Sequence, residues 1–338
     1  MLTLKCLTKS VQKYFADPAI TYLQTLATAR QFKARAEGTQ RNNRLGARTY
    51  LAFMWRVGKD PHEPHHSMVC TFLEYLSTHI NAPSTIRNYL SQARVHVALA
   101  TGEMHPMSHM RITRAMEAIN RNKAYVPKEK QAVPMDVLQP ILIRLHGSPT
   151  MNAVRAALLV QYYGALRPGE VTPPSKAKFL STYHLTRGDL TFKGREMEVR
   201  IKSGKTLQRT GQNKVIRLMP ASDKDLCVVT ACRQMCMDTP TIGTNDPLFM
   251  FSDTREPIPT SEIRKHWKQG LTDLGLPKAV YTLHGLRIAA ATQAYDAGAS
   301  ELDVQRYGGW RSNVHRTYIR SAANRDVNHK LISALDYN

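Results

Sequence analysis

Acidic residues are scarce in this chain of 338 residues: 26 Asp and Glu stand against 47 Lys and Arg, leaving a formal net charge of +21. A basic tail would concentrate that excess, but it is spread. Residues 1–130 carry 19 Lys and Arg against 8 Asp and Glu, and residues 131–338 carry 28 against 18. Two basic regions imply that both face a polyanion, most simply DNA. Cysteine is also scarce. Five cysteines, an odd number, speak against a disulfide framework and for a reducing, intracellular compartment. Cys227, Cys232 and Cys236 lack the spacing of a zinc site and read as helix packing. His62, His65 and His66, in PHEPHH, read as a solvated loop rather than a metal site. There is no apolar run of membrane-spanning length, no internal repeat and no low-complexity tract. The opening MLTLKCLTKSVQKYF shows no signal-peptide core.

What is present is 42% hydrophobic residues, enough for sizeable cores in two domains. Residues 1–37 read as an arm or extra helices. From residue 38 to 120 the pattern is helical. A first helix opens at Thr39, with Leu45, Tyr50, Leu51, Phe53 and Met54 as its apolar positions. HSMVCTFLEYLSTHI gives a second. NAPSTIRNYLSQARVHVALATG gives a third, with Ile86, Leu90, Ala93 and Val97 on one stripe and Arg87, Ser91 and Arg94 on the stripe beside it. A basic stripe beside a buried one suits a helix lying on DNA, and equally suits a solvated face. RNKAYVPKEKQAVPM, 121–135, is polar, basic and holds two prolines, as an interdomain linker does.

The second half, 136–338, mixes helices with strands. MNAVRAALLVQYYGALRPGEV opens as a buried helix, with Ala153, Leu158, Val160 and Tyr162 among its apolar residues, and ends at Gly164. Pro168 suits the first position of a new helix, leaving Arg167 at its mouth and Glu170 placed to orient that guanidinium. Pro173 and Pro174 stop this helix early, and PPSKAKFLSTYHL reads as an insertion. DLTF, EMEVRIK and NKVIRLMP read as three strands, the first two joined by a turn at Lys193-Gly194. Between the last two lies SGKTLQRTGQ, with Lys205 in its Ser-Gly-Lys-Thr and Lys202 just upstream. This is not a nucleotide-binding loop, because the required upstream glycine falls on Val199.

The densest chemistry lies in YTLHGLRIAAATQAYDAGASELDVQRYGGWRSNVHRTYIR, residues 281–320. Thr282 is placed to cap a helix from Leu283 to the neighbourhood of Gly298. His284 and Arg287 then share its first turn, where the helix N-terminus adds partial positive charge. Imidazole, guanidinium and helix N-terminus together suit a phosphate. Ser300 with Asp303 opens a second short helix, ended by Gly308-Gly309. A third helical segment carries Tyr318.

His-x-Leu-Arg, then Gly-Gly-Trp, then a tyrosine, preceded by Arg-Pro-Gly-Glu and a hairpin lysine, resembles the tyrosine recombinases of the phage integrase family. The resemblance covers residues from about 38 to 320. Trp310 to Tyr318 is one residue shorter than the spacing usual in phage enzymes, and similar to the DIRS-type and Crypton recombinases of eukaryotic mobile elements. It implies a mainly α fold with a small antiparallel sheet: a helical core-binding domain joined to an α+β catalytic domain. It implies that Arg167, Lys205, His284, Arg287, Trp310 and Tyr318 are catalytic, with Glu170 behind Arg167. In such an enzyme Tyr318 attacks a DNA phosphodiester, forming a 3′-phosphotyrosyl bond and freeing a 5′-hydroxyl, which Lys205 protonates. The reaction needs no metal, ATP or other cofactor. The expected partners are double-stranded DNA and further copies of the chain, as a homodimer on each site and a tetramer in the synaptic complex. The location is intracellular and DNA-associated, and nuclear if the element is eukaryotic.

Two alternatives stay open on the same residues or fold: a type IB topoisomerase-like or hairpin-forming enzyme, and an inert DNA-binding protein. Beyond Tyr318, Val327, Leu331, Ile332 and Leu335 form an apolar stripe. A terminal helix there could bury that stripe in its own domain or on a neighbouring protomer.

Overall fold

The computed structural model describes Tyr22, Leu26 and residues 37–102, 109–126, 130–204, 213–240, 243–310 and 312–319. Lys205, the rest of the N-terminal arm and the C-terminal stripe lie outside these residues. The chain divides into two compact units, Met1–Pro127 and Lys128–Asn338.

Unit one is helical: α1 (Glu37–Arg56), α2 (His66–His79), α3 (Pro83–Thr101) and α4 (Met110–Asn122). Its core is the set of apolar stripes that helical periodicity exposes. Tyr50, Phe53 and Met54 of α1 meet Phe72, Leu73 and Leu76 of α2, Ile86, Leu90, Ala93 and Val97 of α3, and Ile112, Met116 and Ile119 of α4. Each Val, Leu, Ile, Phe or Met among them, fully buried, contributes about 1.5–3 kcal/mol. Tyr50 and Phe72 meet edge to face with centroids 5.4 Å apart. Lys123 closes the C-terminus of α2 by donating to Ser77 O at 2.5 Å and Ile80 O at 2.7 Å, where helix carbonyls favour a cation. One expectation changes: Leu45 is 54% exposed and lies off the core face. The PHEPHH stretch is a loop with His62 and His65 exposed, and it leads into α2, where His65 is the N-cap and the His66 and His109 rings stack at 4.3 Å. Among the described residues no group of three or more His, Cys, Asp or Glu is arranged to hold a metal. No described helix is long and apolar enough to cross a membrane.

Unit two holds α5 (Met135–Arg144), α6 (Pro149–Tyr163), α7 (Pro168–Val171), β1 (Leu190–Lys193), β2 (Glu196–Ile201), β3 (Lys214–Leu218), α8 (Val228–Asp238), α9 (Thr260–Asp273), α10 (Leu283–Asp296), α11 (Glu301–Gly308) and a final 3₁₀ turn, Asn313–Thr317. The central element is α6, buried on all sides from Ala153 to Tyr162. Its two polar members are tied to backbone carbonyls, although Arg155 Nε has no partner among the described residues. Arg155 donates to Lys224 O and Asp225 O, and Gln161 donates to Leu283 O at 2.5 Å. The sheet is antiparallel in the order β1-β2-β3. Alternation puts Met197, Val199 and Ile201 of β2 and Ile216 and Leu218 of β3 into the core.

The stretch expected as linker is shorter than composition implies. Arg121 and Asn122 are the last turn of α4, and Met135 begins α5. Val133 is fully buried in the core of unit two, and its N–H donates to Gly285 O at 3.2 Å. An apolar β-branched residue in extended chain is worth more packed than solvated, so this end of the connection is docked.

Candidate active site

Arg167 ends the loop after α6 and takes the N-cap position of α7, as Pro168 at the first helical position directs. Glu170 folds back on it: the carboxylate accepts from Arg167 N at 2.8 Å and from Nη1 at 2.9 Å. One short turn therefore both terminates the backbone and aims a guanidinium. Just before it, Ala165 sits at φ 47°, a left-handed conformation that costs a non-glycine residue about 1–2 kcal/mol. Its carbonyl thereby accepts from Arg287 Nη1.

Arg287 is 1% exposed. It lies one turn into α10, after His284. Its Nη2 donates to Gly308 O at 2.7 Å, and its Nη1 is 3.9 Å from Glu170 Oε2. Burial first, then the charge of Arg167, lowers its hold on the proton, while Glu170 and Tyr318 oppose this. A guanidinium remains charged under that pressure. Thr282 occupies the N-cap of α10, but its hydroxyl makes no capping bond and has no partner among the described residues. The first-turn amides of α10 are therefore not closed by that side chain.

The Ser300–Asp303 capping box opens α11 and Gly309, at φ 67°, ends it. The two glycines differ in what they do. Gly309 supplies the left-handed turn. Gly308 supplies space, because a Cβ there would lie 1.7 Å from the Trp310 ring. The indole folds onto that gap and stacks on Arg287, whose Cζ is 4.3 Å from the ring centroid. Tyr318 follows, not in a full third helix but at the end of the 3₁₀ turn. Its ring lies 4.8 Å from Trp310 and 5.4 Å from His284, and its carbonyl accepts from Thr292 Oγ1 at 3.1 Å. The Arg287 Cζ lies 5.6 Å from the Tyr318 ring centroid.

Six of the residues singled out in the sequence thus meet: Arg167, Glu170, His284, Arg287, Trp310 and Tyr318. Two buried donors in the cluster, Arg287 Nε and Trp310 Nε1, have no partner among the described residues. Buried donors without acceptors are costly, and beside two guanidiniums they suit an anion. His284 is held neutral. Burial, then Lys130, Arg287 and Arg167, push its pKa down to about 4. A neutral imidazole can accept one proton and donate another.

Lys205 lies outside the described residues. Gly204, before it, lies against the cluster, where a Cβ would be 2.8 Å from Glu170 Oε1. Lys202 is committed elsewhere, at 2.5 Å from the buried Asp189 carboxylate and from Ser181 O. Arg87, Ser91 and Arg94 belong to unit one. Arg87 and Ser91 are exposed on α3, whereas Arg94 is half-buried and its guanidinium is desolvated. The three therefore do not form one uniformly open stripe. Sequence reading missed Lys214, whose Nζ reaches Tyr307 O at 2.5 Å from the start of β3. Only its place at the head of a strand, opposite Ile201, signals it.

The phage integrase family model matches residues 132–325. No curated protein matches the sequence. Among solved structures, a lambda integrase dimer bound to a COC′ core site is similar at 13% identity and TM-score 0.55, covering 88% of this chain and 94% of that one. The Tn1549 transposon integrase in complex with circular intermediate DNA is similar at 15% identity and TM-score 0.56, covering 90% and 97%. A lambda integrase tetramer bound to a Holliday junction is similar at 12% identity and TM-score 0.54, covering 90% and 81%. At these identities the likeness is one of fold, and it agrees with the mainly helical architecture and its three-stranded antiparallel sheet. With a family model matched over more than half its length, from the docked linker past Tyr318, the chain belongs to the phage integrase family, the tyrosine recombinases.

Proposed function

We propose that the chain is a site-specific DNA recombinase that breaks and rejoins DNA through a 3′-phosphotyrosyl intermediate, serving the integration or excision of a mobile element. The observation that carries the reading is the cluster in which Glu170 joins Arg167 and Arg287, the Trp310 ring stacks on Arg287, Arg287 Nε and the Trp310 indole N–H are left unpaired, and the Tyr318 ring lies against the indole. A phosphodiester gains negative charge on its non-bridging oxygens as it becomes pentacovalent. Fixed guanidiniums and a buried N–H stabilise that charge more than the ground state. The Tyr318 oxygen attacks phosphorus, a P–O bond to the tyrosine forms, and the bond to the 5′-oxygen breaks. Neutral His284 takes part in moving the tyrosine proton. Lys205 supplies the proton to the leaving oxygen, and Gly204 against Glu170 supports its delivery. The phosphotyrosyl bond keeps the energy of the cleaved linkage, so a 5′-hydroxyl of a second duplex can reseal it.

The partners in this reading are duplex DNA, with Arg87, Ser91 and Arg94 as candidate contacts from unit one, and further protomers, two per site and four at synapsis. The dimeric and tetrameric lambda assemblies of the same fold support that stoichiometry. The protein acts on DNA where it lies, which is the nucleus for an element of DIRS or Crypton type. The test is a two-site recombination assay run beside relaxation of supercoiled plasmid. Recombinant product supports the reading. Relaxation with no recombinant product makes the chain topoisomerase-like, and binding without either product makes it an inert member of the fold.

A further inference from the structure

We infer that Lys214 is a positioning residue of this reaction: by holding the Tyr307 carbonyl it fixes the turn Gly308–Gly309–Trp310, and through that turn it sets Arg287 and Trp310 against the phosphate. The inference rests on the recombinase reading.

Helix C-termini leave carbonyls without partners and carry partial negative charge. At the end of α11, two of these carbonyls are met by backbone: Trp310 N donates to Gln305 O and Gly309 N to Arg306 O. The next two, Tyr307 O and Gly308 O, are each met by a cation, Lys214 Nζ at 2.5 Å and Arg287 Nη2 at 2.7 Å. The same short turn is thus gripped from the sheet by a lysine and from α10 by an arginine that the chemistry needs. Further tethers converge on it. Tyr307 Oη donates to Tyr163 O at 2.6 Å, and the Trp310 ring stacks on Arg287.

Lys214 is itself rigidly delivered. It opens β3 and pairs with Ile201 across the ladder. A Cβ on Gly309 would lie 3.9 Å from its Nζ, so the ammonium sits directly under the turn. The groups facing it are Arg287 of α10, Arg167 and Glu170 of the α7 turn, and the Tyr307 carbonyl of α11. Two of these are like charges. Burying an ammonium beside two guanidiniums is costly, and a residue needed only for packing would lose the charge. Burial first, then Arg287, with Arg167 adding and Glu170 opposing, brings its pKa down to about 8. The clamp is therefore charged at neutral pH and loosens as pH rises through that value.

The test uses the full-length protein, Lys214→Met and Lys214→Arg, on a nicked suicide duplex in single turnover. Lys214→Met should bind the duplex as wild type does, yet form the covalent adduct about 100-fold more slowly, the cost of a displacement near 1 Å among positioned groups. A 5′-bridging sulfur, which needs no proton to leave, should not restore that rate. Lys214→Arg should recover most of it, since a guanidinium can donate to the same carbonyl. Its rate should also lack the decline above pH 8 that the wild type shows. An unaltered rate in Lys214→Met overturns the inference. So does rescue by the sulfur substrate, which would make Lys214 the proton donor itself. If Lys214→Met does not fold, the pH profiles decide: identical declines in wild type and Lys214→Arg overturn it. Absence of any adduct in wild type is the separate failure of the recombinase reading.

Discussion

Replacing Gly308 by Ala isolates the role of the Trp310 ring. The added Cβ would stand 1.7, 2.1 and 2.2 Å from three ring carbons, where a comfortable contact is about 3.5–4.0 Å. The ring must therefore retreat by about 2 Å. It cannot do so freely: Trp310 is 6% exposed and packed between the Arg287 guanidinium and the Tyr318 ring. Overpacking of this kind costs about 1–3 kcal/mol of stability. Displacing the indole N–H and its two neighbours should cost about 100-fold in the cleavage step. Gly309→Ala is the control. Beyond its two chain neighbours it meets only Lys214 Nζ, at 3.9 Å, and it carries the left-handed strain, about 1–2 kcal/mol. Thermal denaturation and single-turnover adduct formation should then dissociate, with similar stability losses but a much larger rate loss in Gly308→Ala. A Gly308→Ala rate within a factor of about three of wild type, or equal rate losses in the two variants, refutes the argument.

Glu170→Gln should leave duplex binding in a gel shift unchanged and slow adduct formation. It weakens two charge-assisted bonds to Arg167, each worth about 1.5–3 kcal/mol. Lost wholly in the transition state, one such bond is on the order of ten- to a hundredfold in rate. His284 gives a pH prediction. Its folded pKa of about 4 lies below the unfolded 6.5, so the folded protein binds fewer protons between those values. Its contribution to stability is therefore present above pH 6.5 and lost as pH falls toward 4. Melting temperatures across that window should fall less steeply in His284→Gln than in wild type.

What the sequence made legible was local. Pro168 and Glu170 lie within three residues of Arg167, Ser300 and Asp303 within one turn, and Ile86, Leu90, Ala93 and Val97 along one helix face. Each of these pairings is set by backbone geometry over a few residues, and each stands in the structure as read. What escaped depends on distant chain. Lys214 meets Tyr307 only because the β2–β3 register carries it there. Val133 looked like linker because its neighbours are polar, but its burial is decided by Gly285 and the core beyond it. Arg94 sits on the polar side of the α3 pattern, yet it is half-buried and its guanidinium desolvated. Thr282 had the right side chain at the N-cap, but its hydroxyl makes no bond to the helix amides. No periodicity reports a rotamer.

The central claim is that Tyr318 is the nucleophile. It is tested by incubating wild type and Tyr318→Phe with a nicked suicide duplex and resolving the products on a denaturing gel. The account predicts a covalent protein–DNA band with wild type, bearing the DNA on Tyr318 through its 3′ end, and none with Tyr318→Phe, although the variant still shifts the duplex in a native gel. A covalent band that persists in Tyr318→Phe contradicts it and moves the nucleophile to another residue, with Tyr307 and Tyr295 next to be changed.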